Sequence, residues 1–445
     1  MATDYSQGKV SRHILNQALP LIVAELVHLL YNVVDRVYIG HMESGSSLAL
    51  TGVGLTFPIS TLILAFTALY RIGGTPMFSI ARGERDEEKA ERILGTVTAQ
   101  LVAVGLGLTV FCYLLRRPIL YLFGASDASY VYAEEYLRIY LLGTVFTMFV
   151  TGINGFINAQ GFPKTGMVTT VIGAVLNIIL DPIFIFGLNM GVSGAALATV
   201  ISQLVSAIWV LRFLTGRKAS LKIRRKYLVL DREFTPEILR RGTSGFITQA
   251  TNCLVQILCN ATLQAQGGDL YVGVMTVVNS VREIFMLPVN AINQGSQPVM
   301  GYNYGAKEMK RVKESIRFDL YAGVAYAMLA WGVIIALPEF WCGIFSSDPG
   351  VLLAGPKALY LYFFGFFFMA FMLVGQAVFQ TLGYARHAIF FSVLRKVVIV
   401  CPLTLLLPRW GFGVWGVFLA EPISNAVGGL ICFASMWRTV YRKLE

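Results

Sequence analysis

The stretch Gly191–Ser202, GVSGAALATVIS, returns 222 residues later at Gly413–Ser424 as GVWGVFLAEPIS, identical at seven of twelve positions. The same offset carries Gly73 and Pro76 onto Gly295 and Pro298, Gly83 onto Gly305, and Gly161 onto Gly383. One constant spacing across so many turn and packing residues marks an internal duplication that halves the chain. Outward from these turns the sequence is apolar. Of 445 residues, 56% are hydrophobic and 14% charged, and the mean hydropathy is +0.65. Soluble domains carry about 25% charged residues, so ordinary soluble folding is excluded. No stretch is large or polar enough for a soluble catalytic domain.

A membrane helix needs about 20 apolar residues. On that measure spans are predicted at 14–39, 48–80, 93–115, 136–160, 165–187, 191–214, 244–266, 270–300, 317–337, 358–382, 387–407 and 413–437. The class is therefore all-α: a polytopic membrane protein with twelve transmembrane helices in two six-helix bundles, 1–215 and 242–445. A basic cytoplasmic linker, 216–241, joins them. Six spans per copy is an even number, so both copies share one orientation, and a pseudo-twofold axis along the membrane normal is expected between them. With both termini cytoplasmic, inside segments hold 25 of the 36 Lys and Arg, nine of them in the linker. That is the positive-inside pattern of a multi-pass protein of the cell inner membrane. The net charge of +11 thus belongs to membrane loops, and no nucleic-acid partner is expected. The linker reads as an amphipathic strap on lipid headgroups. The N-terminus lacks a cleavable leader pattern, so the first span is expected to stay. Six scattered cysteines and four histidines show neither disulfide nor metal spacing.

Ionisable groups inside spans are costly and mark function by default. On the first span Glu25, His28, Asn32 and Asp35 follow i, i+3, i+7 and i+10, one narrow helical stripe. The seventh span repeats it, at an offset of 224, as Gln249, Asn252, Gln256 and Cys259. The fifth span carries Asn177 and Asp181 one turn apart, before Pro182; their counterparts are Val397 and Cys401. Thr199 on the sixth span is matched by Glu421. The first half thus concentrates carboxylates and amides, and the second reads as mostly neutral apart from Glu283 and Glu421. Asp35 and Asp181 are read as functional, because a carboxylate is expensive to keep in a membrane for packing alone. Asn158, Gln376 and Gln380 are read as interhelical hydrogen bonds. His28 reads as an interior histidine ahead of a proton relay, and Glu25 as a rim residue. The aromatic run Tyr360–Phe371 reads as lipid-facing bulk, and GFGVWG at 411–416 as a turn between spans, not a nucleotide loop.

Taken together, ALP…NVVDRVYIG on the first span, NGFINAQGFPKT, LNIILDPIFIFGLNMGVSGAALATVISQ and QPVMGYNYGAK resemble bacterial multidrug and toxic compound extrusion (MATE) transporters. YNYGAK resembles the MepA-type branch in particular, and the likeness runs over almost the whole chain. The resemblance implies a central cavity alternately open to each side, and export of cationic amphiphilic drugs and dyes against inward H⁺ or Na⁺. It carries the family's cation site onto Asp35, Asn177, Asp181 and Thr199. Asn154 and Tyr136 match the hydrogen-bond network around that site, with Asn32, His28 and Glu25 as further polar support. Gln249, Asn252, Gln256 and Glu283 mark a candidate second-bundle cavity. The tenth span has no acid and the seventh offers only Gln249, so coupling is placed in the first half. No cofactor is expected, and no metal other than Na⁺ at the cation site. The expected partners are small cationic substrates and membrane lipid, and the expected state is a monomer. The rival readings are a lipid or polysaccharide-precursor flippase of the same superfamily, which would want a cationic cavity, a membrane-embedded enzyme, which would want a catalytic set the sequence lacks, and a channel.

Overall fold

The computed structural model describes residues 4–40, 52–123, 125–346 and 348–444; between 32 and 40 it describes the side chains of Val34, Asp35 and Tyr38. Helix is the only regular structure among these residues. The long helices are α1 (Val10–Gly40), α2 (Phe57–Gly83), α3 (Glu87–Leu114), α4 (Asp127–Tyr140), α5 (Thr144–Ala159), α6 (Pro163–Pro182) and α7 (Gly191–Thr215). After the linker come α8 (Phe234–Gly305), α9 (Met309–Ala336), α10 (Pro349–Phe363), α11 (Phe368–Thr381), α12 (Ala385–Val393), α13 (Cys401–Leu407) and α14 (Trp415–Thr439). Ten of the described helices or continuous helical runs are long and apolar enough to cross a membrane, and α10 with α11, bent by 50°, makes an eleventh. α8 is 72 residues long, far more than one bilayer needs. It breaks at Gly268, where φ is +69° and only glycine sits without strain. That break falls between the predicted seventh and eighth spans, and α8 counted as two brings the spans among the described residues to twelve.

Local chemistry sets the helix ends. Asp86 accepts a hydrogen bond from the Lys89 N–H (2.9 Å) and puts Glu87 and Glu88 in the first turn of α3. Ser126 and Ser129 cap α4 reciprocally. Gly161 and Gly383, 222 apart, both take left-handed φ (+90° and +86°), so the same turn closes α5 and α11. The duplication extends to side chains. Asn154 donates to the Gly166 carbonyl (3.2 Å) and its counterpart Gln376 donates to the Ala388 carbonyl (3.1 Å), one interhelical bond made twice.

The chain forms two compact units, Pro20–Gly242 and Tyr5–Leu19 with Thr243–Glu445. In the first, Phe78 and Phe156 meet edge to face within a core that includes Ile59, Ile93, Leu94 and Leu101. In the second, one core gathers Leu263, Val278, Phe363 and Phe418, and another Met300, Phe379 and Phe391. Helix association in lipid rests on close packing of small residues rather than on hydrophobic expulsion. Gly73 on α2 lies directly against the Ile238 carbonyl; Gly295 on α8 lies against Ile14 and Ala18. Ile14 and Ile238 are themselves repeat counterparts, 224 apart. So Tyr5–Leu19, assigned from sequence to the first bundle, packs in the second unit. Ile14, Ala18, Ile292 and Val299 form one buried cluster there, and Arg311 donates to the Tyr5 (2.7 Å) and Gly8 (2.9 Å) carbonyls.

The linker differs from the expected headgroup strap. It packs on the first unit, with Ala219, Leu221 and Ile223 buried. The Leu221 N–H donates to Gln160 and the Lys222 N–H to Glu91 (3.1 Å each). Glu91 also pairs with Arg224, and Arg92 with Asp231 (2.7 Å) and Glu233 (2.8 Å). The apolar side of the linker, read as a strap on headgroups, is covered by protein instead.

Candidate functional site

Asn177 and Asp181 lie one turn apart on α6, 2% and 0% exposed. That spacing points both toward α7 and the end of α1. Asn177 Nδ2 donates to Asp181 Oδ1 (3.3 Å) and to Thr199 Oγ1 (3.3 Å). The Thr199 hydroxyl donates to the Ala195 carbonyl (3.1 Å), which leaves its lone pairs toward Asn177. Asp35, half-buried near the end of α1, brings its carboxyl within hydrogen-bonding reach of Asp181. Below this group Pro182 removes a backbone donor, and the helix widens into one π turn, Ile183–Gly187, the kind of irregularity often found at functional sites. The structure therefore brings together Asp35, Asn177, Asp181 and Thr199, from two consecutive helices and a third, α1, far from them in sequence.

The chemistry of the cluster follows from its unmet acceptors. Asp181 Oδ2 and Asn177 Oδ1 are buried without a hydrogen-bond partner. Ionised carboxylates only accept, so two of them in contact cannot satisfy one another. A proton or a hard cation between them would. Three phenols surround the pair. Tyr31 and Tyr136 both lie close to Asp35 and Asp181, and Tyr140 stacks on Tyr136 with ring centroids 5.6 Å apart. Tyr31 and Tyr140 were missed in the sequence. Tyr31 precedes Asp35 by one helical turn, a signal that its aromatic character masked.

Other sequence-selected residues fall elsewhere. The Asn154 amide bonds to the Gly166 carbonyl, a packing role, and not to the carboxyl pair. His28 is exposed and sits edge-on to Tyr31 (5.1 Å), with Glu25 beside it. Glu25 also faces Arg71 on α2, a cation the sequence reading did not weigh. The Asn32 side chain lies outside the described residues. In the second unit Gln249 is half-buried, while Asn252, Gln256 and Glu283 are exposed, and no described hydrogen bond gathers them.

The expectation of a mostly neutral second half is overturned. Between α12 and α13 a π-helical stretch, Leu394–Val400, carries Arg395 and Lys396. Lys396 Nζ lies 2.8 Å and Arg395 Nη1 3.1 Å from the same oxygen, Glu421 Oε1, and Arg395 also donates to Asn425 Oδ1 (2.6 Å). Two adjacent cations in an apolar run were a legible signal, overshadowed by the carboxylates of the first half. Tyr362, Phe363 and Phe366, read as lipid-facing, are buried instead. Asp319 on α9 is also buried, held by Ser296 (2.8 Å) and Asn293 (3.2 Å).

The MatE family profile matches residues 20–183 and 246–406. Multidrug export protein MepA of Staphylococcus haemolyticus is 22% identical, over 97% of this chain and 95% of that protein. An outward-facing multidrug resistance MATE transporter of the MOP superfamily superposes with a TM-score of 0.93 at 23% identity, covering 100% of this chain and 99% of its own. A MOP superfamily transporter from Pyrococcus furiosus, whose binding pocket of reversed polarity is taken to suggest a different function, superposes equally well (TM-score 0.93, 22% identity, 100% and 99% coverage).

Proposed function

Because the chain belongs to the MATE transporter family, in its MepA-type branch, we propose that it is a secondary antiporter that exports cationic amphiphilic drugs and dyes in exchange for H⁺ or Na⁺. The observation that carries this reading is the Asp35–Asp181 pair with the unmet oxygens of Asp181 and Asn177. An exporter driven by an ion gradient needs a ligand that favours one of two states. A proton or Na⁺ between two carboxylates is such a ligand, since it relieves their repulsion and draws α1 toward α6. Asn177 and Thr199 would complete the oxygen shell. An acidic site suits cationic cargo, and the relatives' naming as multidrug exporters supports the same substrate class. The protein works as a monomer in the inner membrane, with both termini cytoplasmic. Catalytic chemistry has no part in this cycle.

The test is dye uptake into vesicles under an imposed H⁺ or Na⁺ gradient, with equilibrium dye binding measured on the same preparation. Asp35→Asn and Asp181→Asn each remove one charge while nearly preserving shape. Each should abolish gradient-driven transport yet leave dye binding. The double variant should be little worse than either single, because groups acting as one unit are non-additive. Robust transport by either single variant would sink the assignment.

A further inference from the structure

The duplication permits a comparison within one chain. In the first unit the acidic site is built from Asp35, Asp181 and Thr199, with Tyr140 close by and Ser60 beside that phenol. The corresponding residues of the second unit are Cys259, Cys401 and Glu421, with Tyr362 and Arg282 in place of Tyr140 and Ser60. These counterparts also assemble in space. Cys259 lies near Cys401, Glu421 and Lys396, and it packs with Val255, Val400 and Ala420. Arg282 lies beside Tyr362 and within electrostatic reach of Glu421. Each unit therefore builds a polar site at the same place in its helices. The first is acidic. In the second both aspartates are gone, and three cations stand around one buried glutamate.

We propose that the second unit holds a binding site for an organic oxyanion, the carboxylate or phosphate end of an amphiphile, formed by Arg282, Arg395 and Lys396. Three observations carry it. Glu421 is 5% exposed and offers a single oxygen, Oε1, to both Arg395 and Lys396. Arg282 makes no salt bridge with it; its guanidinium is hydrogen-bonded to the Tyr362 phenol, and its Nε is buried without a hydrogen-bond partner. Glu283 is exposed, and even counting it the cluster has more cations than acids. Excess positive charge inside a membrane bundle is costly unless something compensates it. The planar guanidinium donates two parallel hydrogen bonds to carboxylate or phosphate oxygens, so an oxyanion is the matching ligand. Arg395 and Lys396, adjacent on the π-helical turn, share one acceptor, Glu421 Oε1. The site does not depend on which ion drives export.

The test uses the purified full-length protein and two xanthene dyes of opposite charge, anionic fluorescein and cationic rhodamine 6G. Wild type should bind fluorescein saturably. Arg282→Gln should weaken fluorescein binding by about tenfold or more, as expected when one member of a buried charged cluster is removed, and leave rhodamine 6G within about twofold. Lys396→Gln lowers the positive excess around Glu421 and removes one donor, and should weaken fluorescein as well. Displacement of fluorescein by short-chain phosphatidylglycerol but not phosphatidylcholine would identify a lipid headgroup as the source. Arg282-dependent binding without such displacement would identify a soluble organic acid. Either result supports the site. Undiminished fluorescein binding in Arg282→Gln overturns it, as does a wild type that binds neither fluorescein nor phosphatidylglycerol. If Arg282→Gln loses both dyes while Lys396→Gln keeps fluorescein, the role of Arg282 is structural and the proposal fails. Absence of rhodamine 6G binding in wild type would count against the proposed drug export and leave the oxyanion site standing.

Discussion

Asn177 is the residue on which the first-unit site turns, because its amide spans Asp181 on its own helix and Thr199 on the next. Thr199→Ala removes one acceptor. A hydrogen bond contributes about 0.5–1.5 kcal/mol, so the half-saturating ion concentration for transport should rise by roughly two- to tenfold, and Thr199→Ser should restore it. Initial dye uptake at graded ion concentrations measures this. An unchanged half-saturation in Thr199→Ala would remove Thr199 from the ion shell. Asp35 and Asp181 were legible in the sequence because a carboxylate inside a membrane span is too costly to keep unless it serves a function, Asn177 follows Asp181 at helical spacing, and Thr199 entered through the family resemblance. Tyr31 and Tyr140 were not, since an aromatic residue in a membrane helix is ordinary until its neighbours are known.

Among elements, the linker departs furthest from its sequence reading. Gly95 on α3 touches the Tyr227 backbone, and a Cβ there would collide with the Tyr227 carbonyl. Gly95→Ala should cost about 1–3 kcal/mol of stability, as overpacking does. Gly107→Ala, on the same helix with open space around it, should stabilise by about 0.5–1 kcal/mol. Thermal unfolding of the two variants side by side decides it, and equal behaviour would mean that the linker does not dock. The docking also has a pH dependence. Burial favours the neutral form of Asp231, but the Glu233 N–H and Arg92 outweigh it and hold the carboxyl below its ordinary range. A lowered folded-state value contributes stability that is complete above the unfolded carboxylate value of about 3.9 and is lost as pH falls through the folded one. Hydrogen exchange in the linker should therefore be faster in Asp231→Asn than in wild type at pH 7. The gap should close in acid; a gap that persists there would assign the contact to shape rather than charge.

For the whole molecule, topology rests on where the basic residues lie. Ser220, exposed on the linker, gives the direct check. A cysteine substituted for Ser220 should react with an impermeant reagent only from the inner side, and labelling of intact cells from outside would invert the orientation. The two units share turns, glycine contacts and the Asn154/Gln376 hydrogen bond, yet differ in the charge of their polar sites. Duplication has kept the packing and released the chemistry. Packing must be satisfied in every copy, whereas under the proposed function one ion site is enough to couple transport to a gradient.

The sequence by itself determined the all-helical membrane class, the number of spans and the repeat, because hydropathy and a constant offset act along the chain and need no third dimension. It also marked Asp35 and Asp181, since charge in an apolar run is costly wherever it folds, and the family resemblance added Asn177 and Thr199. Only the tertiary structure decided that Tyr5–Leu19 packs in the second unit, that the linker docks on protein, and that Arg282, Arg395 and Lys396 gather around Glu421. Those outcomes depend on which surfaces meet, and contacts between different helices leave no periodic trace in the chain.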